Sequence, residues 1–295
     1  MTRSGSVFVR IPLSVMVLMA FAGVQPLDAA AQSRRAPPQA VTVATGPSYG
    51  QIAELAVIAP IVIDATIRES ALVEPERAPG IAPGSRRHYV EARVNSLIRG
   101  PAGTPGSIRY LVDLPVDSRG KPARLEKQRV IVFARPGTAA GQIQLVSPAA
   151  QLPWIAGTDA SVRAILAELV RPGAAPAISG IANAFHVRGS LPGEGETQIF
   201  LRTTTGAPVS LTVLRRPGQQ RRWAVAFGEI VDESAQRPAR DTLGWFRLAC
   251  GLPRSIAPAL LAGLDATEAR AAQEDYAFIL ADLGSCGQRV GRTGA

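Results

Sequence analysis

Two groups of residues in this 295-residue chain have the types and spacing to do chemistry. The first is His186, Arg202 and Glu229, with Ser210 nearby in the same stretch. They are the types a general base, an anion clamp, an orienting carboxylate and a hydroxyl would supply in a hydrolase-like site. The second is Arg215, Arg216, Arg221, Arg222 and Trp223, crowded at one hairpin end. Clustered guanidinium groups recognise phosphate or carboxylate, so this group reads either as an anion-binding tip or as a solvated turn.

Catalytic motifs with a defined spacing are missing. Gly189-Ser190-Leu191-Pro192-Gly193 places its serine one position too early for a strand-to-helix nucleophile elbow. Gly120-Lys121 is followed by Pro122 and lacks the upstream glycine of a phosphate-cradling loop. Two histidines occur in the whole chain, and His186 beside loop carboxylates Glu194 and Glu196 makes a poor metal-ligand set. No cofactor or metal is therefore expected. The reading favoured is a non-enzymatic binding protein, with a hydrolase-like enzyme as the alternative.

Those side chains must be positioned by strands. The stretch from Glu196 to Val231 alternates apolar and polar residues in three runs broken by Thr205-Gly206-Ala207 and by Arg216-Pro217-Gly218-Gln219-Gln220-Arg221. Alternation puts every second side chain on one face. The expected register sets Ile199, Leu201 and Thr203 against Val213, Leu211 and Val209, then Val213 beside Ala224 and Leu211 beside Ala226. The run from Ile181 to Arg188 joins with Phe185 and Val187 opposite Leu201 and Ile199. In that register His186, Arg188, Gln198, Phe200, Arg202, Ser210, Thr212, Trp223, Phe227 and Glu229 share the other face, which is the expected working surface unless it buries against the rest of the chain.

Composition and ends bound the rest. A content of 46% hydrophobic and 19% charged residues excludes a generally disordered chain, and the length suits two ordinary domains. Arg3 and Arg10, the apolar run from Ile11 to Val24 and Ala29-Ala30-Ala31 fit a secretory leader over residues 1–31. No later run is long and apolar enough to replace it as a membrane span. Export to the periplasm or beyond follows, and there Cys250 and Cys286 are expected to join. The formal net charge is +9, carried by arginine apart from Lys121 and Lys127. Outside the cytoplasm such a charge meets anionic envelope lipid or polymer, or another envelope protein, rather than nucleic acid.

Taken in order, residues 32–49 read as a flexible lead-in rich in Ala, Pro and Gln. A long strand is expected from near Ile52 to Ile67, with Pro60 as an edge, break or bulge. Alternation at Val90 to Ile98, Ile108 to Val112, Val130 to Ala134 and Ile143 to Val146 gives four more strands. Five short strands in so few residues favour a small closed or half-closed barrel. A helix over about Ala160 to Val170, capped by Thr158 or Asp159, ends this unit at 171, and residues 172–177 read as a linker. Beyond it the sheet occupies 178–286 together with two covering helices, Thr242 to Cys250 capped by Asp241 and Glu268 to Leu283 stopped by Gly284. Residues 287–295 have nothing to hold them. The expected class is mainly β, α+β.

The strings AVIAPIVIDATI, HYVEARVNSLIRG, IRYLVDLP and RVIVFARP resemble the strand progression of netrin-like modules of the oligonucleotide/oligosaccharide-binding barrel class, over about Gln51 to Trp154. The whole chain is similar to exported bacterial proteins. Arg99-Gly100 after the second strand matches a basic residue and Gly that this family often has there. The disulfide cysteines of animal members and the N-terminal Cys of protease-inhibiting members are missing from this segment, so the resemblance implies a fold and not an inhibitory activity.

Overall fold

Ser48 opens the structured chain with a reciprocal cap: its hydroxyl accepts from the Gln51 amide, and the Gln51 side chain accepts from the Ser48 amide. Those two bonds satisfy helix-terminal groups that otherwise stay unpaired, and helix α1 (Tyr49–Ile58) follows. Ile52, Ala53, Leu55 and Ala56 fall on one side of it and are buried. The strand expected from Ile52 is thus a helix as far as Ile58, and β1 (Ile61–Leu72) begins only after Pro60. The computed structural model describes residues 46–228 and 236–287. The expected leader, residues 32–45 of the expected lead-in, Glu229 and residues 288–295 lie outside the described residues.

β1 is central to a six-stranded antiparallel sheet. It pairs on one side with β2 (Ser85–Arg99), which pairs with β3 (Ser107–Pro115). On the other side it pairs with β4 (Arg129–Pro136), which carries both β5 (Ile143–Leu145) and β6 (Gln151–Pro153). The sheet coils until its ends touch, the Arg109 amide donating to the Gly141 carbonyl at 2.8 Å. The ladder there is a single parallel bridge, Arg109 to Gln142, with the Tyr110 hydroxyl donating to Gln151 of β6 at 2.7 Å beside it. A fully closed barrel is therefore corrected to a coiled sheet without a continuous closing ladder. Its hollow is packed by Ile63, Ile67, Val90, Ile108, Val112, Val130 and Val132.

Helix α2 (Ala156–Leu169) lies beside α1, burying Val162, Ile165 and Leu166. The second sheet is a meander in chain order, β7 (Ile178–Arg188), β8 (Gly195–Thr203), β9 (Val209–Arg215) and β10 (Arg222–Ala226). Helices α3 (Leu243–Gly251) and α4 (Ala266–Leu283) cover one of its faces, as the sequence leads one to expect. Thr242 caps α3 by accepting from the Trp245 amide, in place of the expected Asp241. α4 starts from an Asp265–Glu268 capping box and ends at Gly284, whose φ of 67° suits glycine. Cys250 and Cys286 are joined, with Cα atoms 5.1 Å apart.

One apolar core runs through all four helices and both sheets, from Ile52, Phe133 and Ile165 to Leu211, Trp245 and Ile279. Ala174 and Ala175, within the expected linker, pack against it. Arg99 helps to join the layers, donating to the Ala56 carbonyl near the end of α1 at 3.0 Å.

The register of the second sheet differs from the expected one at every pairing, and each difference has a local cause. The β8–β9 ladder ends at Leu201 with Val209, Arg202 and Thr203 pairing only with β7, so Ile199 stands opposite Leu211. Parity survives that two-residue shift, and the aliphatic set stays together. The β9–β10 turn is set by Gln219 donating to the Arg216 carbonyl at 3.1 Å, and it pairs Val213 with Trp223 and Leu211 with Val225. This one-residue shift turns Trp223 to the helix-covered face. In β7 an irregularity between Ile181 and Asn183 inserts an extra residue, with the Asn183 side chain accepting from the Ala184 amide at 2.9 Å. Ile181, Ala184 and His186 then face the core, whereas Phe185 and Val187 turn outward.

Candidate ligand-binding site

Each residue nominated for chemistry can now be placed. His186 and Arg202 point to opposite faces of the sheet, and Glu229 lies outside the described residues, so the expected catalytic surface is not assembled. His186 is 6% exposed. Its Nδ1 stands 2.8 Å from the Thr197 hydroxyl, which donates to Asp275 Oδ2 at 2.5 Å. The Thr197 proton is used on the carboxylate, so Nδ1 of His186 must carry its own proton and donate it. Gly195 leaves room for this ring: a Cβ there would lie 2.7 Å from His186 Nε2. Burial, with Arg215 adding to it, lowers the His186 pKa below the ordinary histidine value.

Asp275 gathers more than that hydroxyl. Arg215 Nε lies 2.9 Å from both of its oxygens, and Arg221 reaches it at 3.3 Å. Arg215 also donates to the Ala271 carbonyl and pairs with Glu274 at 3.2 Å. Two of the four clustered arginines are thus spent fastening α4 to the sheet. Trp223 is 5% exposed, its Nε1 donating to Asp282 Oδ2 at 2.8 Å, so most of its ring is core and only its edge borders the groove described next.

Arg216 and Arg222 remain. Neither has an ion pair among the described residues, and both line a groove of about 1760 Å³ between the β9–β10 hairpin, α4 and residues 236–240. Arg237 and Arg240, which sequence reasoning did not single out, line it too. Arg237 pairs with Asp282 at 2.9 Å. Arg240 sits 5.3 Å over the Trp245 ring and donates to the Leu283 carbonyl, close beside the end of α4. Arg221 lies 5.8 Å over Phe278. Five arginines therefore face two carboxylates, Glu274 and Asp282, around an apolar floor that includes Phe278 and Ala281. Such a concavity, basic and partly apolar, attracts anions and raises their local concentration.

A second polar cluster lies on the six-stranded sheet. Asp64 accepts from Arg129 at 2.9 and 2.7 Å and from Asn95 at 3.0 Å, and the Arg129 guanidinium stacks 3.6 Å over Trp154. The Arg129 hydrogen bonds hold the Asp64 carboxyl below the usual range. Asp64, Asn95 and Arg129 satisfy one another while Trp154 contributes its ring face, its Nε1 having no partner among the described residues, and the cluster reads as a fastening between β1, β2, β4 and the residue after β6. A scan against protein-family models gives no match, and a search of curated proteins finds no relative.

Proposed function

We propose that this chain is an exported, non-enzymatic binding protein that engages an anionic component of the cell envelope through the groove beside β10. The observation that carries the reading is Arg216, Arg222 and Arg240, which line one concavity without a carboxylate at ion-pair distance among the described residues. Guanidinium groups with no ion pair among the described residues, set around an apolar floor, are consistent with recognition of phosphate or carboxylate. The joined Cys250–Cys286 pair fits an oxidising compartment, and the basic, apolar and small-residue segments of residues 1–31 fit a leader to it. No helix among the described residues is long and apolar enough to cross a membrane. The separation of His186 from Arg202 weighs against the hydrolase reading.

The test is binding of the mature chain to anionic vesicles and to soluble polyphosphate, with Arg216→Gln/Arg222→Gln/Arg240→Gln as comparison. Binding is expected to weaken about tenfold in the triple variant, and to weaken between about 0.05 and about 0.3 M salt as screening shortens. Equal binding by both proteins overturns the reading.

A further inference from the structure

The sheet face turned away from α3 and α4 is more apolar than an uncovered antiparallel face needs to be. The β7 bulge delivers Phe185 and Val187 to it, and Val187 is 57% exposed. Phe200 and Leu214 are each 38% exposed on the neighbouring strands. The rings of Phe185 and Phe200 meet with centroids 5.9 Å apart. By register, Val187, Glu196, Leu214 and Arg222 form one row across all four strands. Arg202 stands toward the other end of the same face, and Arg216 continues past Leu214 and Arg222 into the groove. Glu196 is the one carboxylate among the strand residues of this face.

We propose that this face docks on the surface of an anionic bilayer. Phe185, Val187, Phe200 and Leu214 enter the boundary between headgroups and acyl chains, while Arg202, Arg216 and Arg222 lie at the level of the phosphates. An apolar centre with a basic rim is the composition that partitions into such an interface, where buried apolar area and attraction to anionic headgroups act together. A soluble polyanion would use the arginines and leave the apolar strip unused. A second copy of the chain would bring Arg202 and Arg222 of both molecules together against a lone Glu196 on each, so charge opposes face-to-face pairing. This inference rests on the anion-binding reading above and names the source of the anion.

The experiment compares the mature chain with Val187→Ser/Phe200→Ser, two exposed positions outside the groove whose replacement leaves the core intact. Probes are vesicles of phosphatidylglycerol with phosphatidylethanolamine, vesicles of phosphatidylcholine, and soluble inorganic polyphosphate. The wild-type chain is expected to bind the anionic vesicles, and the double variant to bind them about tenfold more weakly with polyphosphate binding unchanged. A Val187→Trp variant gives a second readout: its emission is expected to shift to the blue on adding anionic vesicles. No shift, together with unchanged vesicle binding by the serine variant, overturns the bilayer proposal and leaves the groove reading standing. Absence of binding to every anion overturns both. A concentration-dependent dimer that the serine variant dissolves identifies a second copy as the occupant and overturns the proposal as well.

Discussion

Arg215 holds Asp275 through Nε at 2.9 Å to both carboxylate oxygens, and Asp275 is completely shielded from solvent. The pair fastens the start of the β9–β10 turn to the middle of α4. Breaking a buried pair by neutralising one partner leaves the other uncompensated, so Asp275→Asn is expected to lower stability by about 3 kcal/mol. Thr197→Val, which strands the His186 proton, should cost about 1–2 kcal/mol. Urea unfolding at constant pH measures both. A double-mutant cycle between positions 215 and 275 should return a coupling above about 1 kcal/mol, and a coupling near zero would remove the fastening role.

Both histidines of the chain are buried with depressed pKa values. For His88, which is 2% exposed, desolvation outweighs the opposing attraction of Glu126 and Asp113. For His186, burial and the charges of Arg215 and Arg188 outweigh Asp275 and Glu268. A folded-state pKa below the unfolded one means that the unfolded chain takes up the proton first. Stability is therefore expected to be level above about pH 7 and to fall as pH drops below the unfolded histidine value of about 6.5. Neither ring nitrogen of His88 has a hydrogen-bond partner among the described residues. His88→Leu should accordingly flatten the slope and raise stability near neutral pH by about 1–2 kcal/mol. Unfolding curves between about pH 8 and about pH 5 decide the matter; an unchanged slope in the variant counts against it.

Gly50 permits α1 to touch the chain just past α4. A Cβ at that position would collide with the Cys286 carbonyl oxygen, and backbone stands on both sides of the contact. Gly50→Ala is thus expected to destabilise by about 1–3 kcal/mol even though alanine is the better helix former. Reducing Cys250–Cys286, which closes a segment with a sequence separation of 36, should cost about 3–4 kcal/mol by loop entropy. Thermal unfolding of the oxidised, reduced and Gly50→Ala proteins separates the two effects. An alanine variant as stable as the wild type would show that the tail has room to move aside.

Alternation made much of the second sheet readable. Ile199, Leu201, Val209, Leu211 and Val213 are buried together, and Tyr276, Ile279 and Leu283 of α4 are buried among the residues that cover them. The bulge in β7 was not readable, because an extra residue at Ala182 leaves no mark in a period-two pattern that has apolar residues at both parities. With it went the side on which His186 and Phe185 lie. The helix over Tyr49–Ile58 did leave a mark, the Ser48-to-Gln51 capping spacing, but its apolar residues run without interruption into those of β1. Arg237 and Arg240 carry no local motif, and only the return of the chain past β10 brings them beside Arg222.

Strand order also bears on how the chain assembles. In the β7–β10 meander every strand pairs with its neighbour along the chain, whereas Asp64 of β1 must find Ile131 of β4 with two whole strands between them. Closing so long an excursion is slow, and the reward arrives only once both ends are in place. A polypeptide emerging from its amino end therefore holds one edge of β1 unsatisfied until residues 129–136 have appeared. Over that interval the open edge of β1 is where the growing chain is most exposed to wrong pairing.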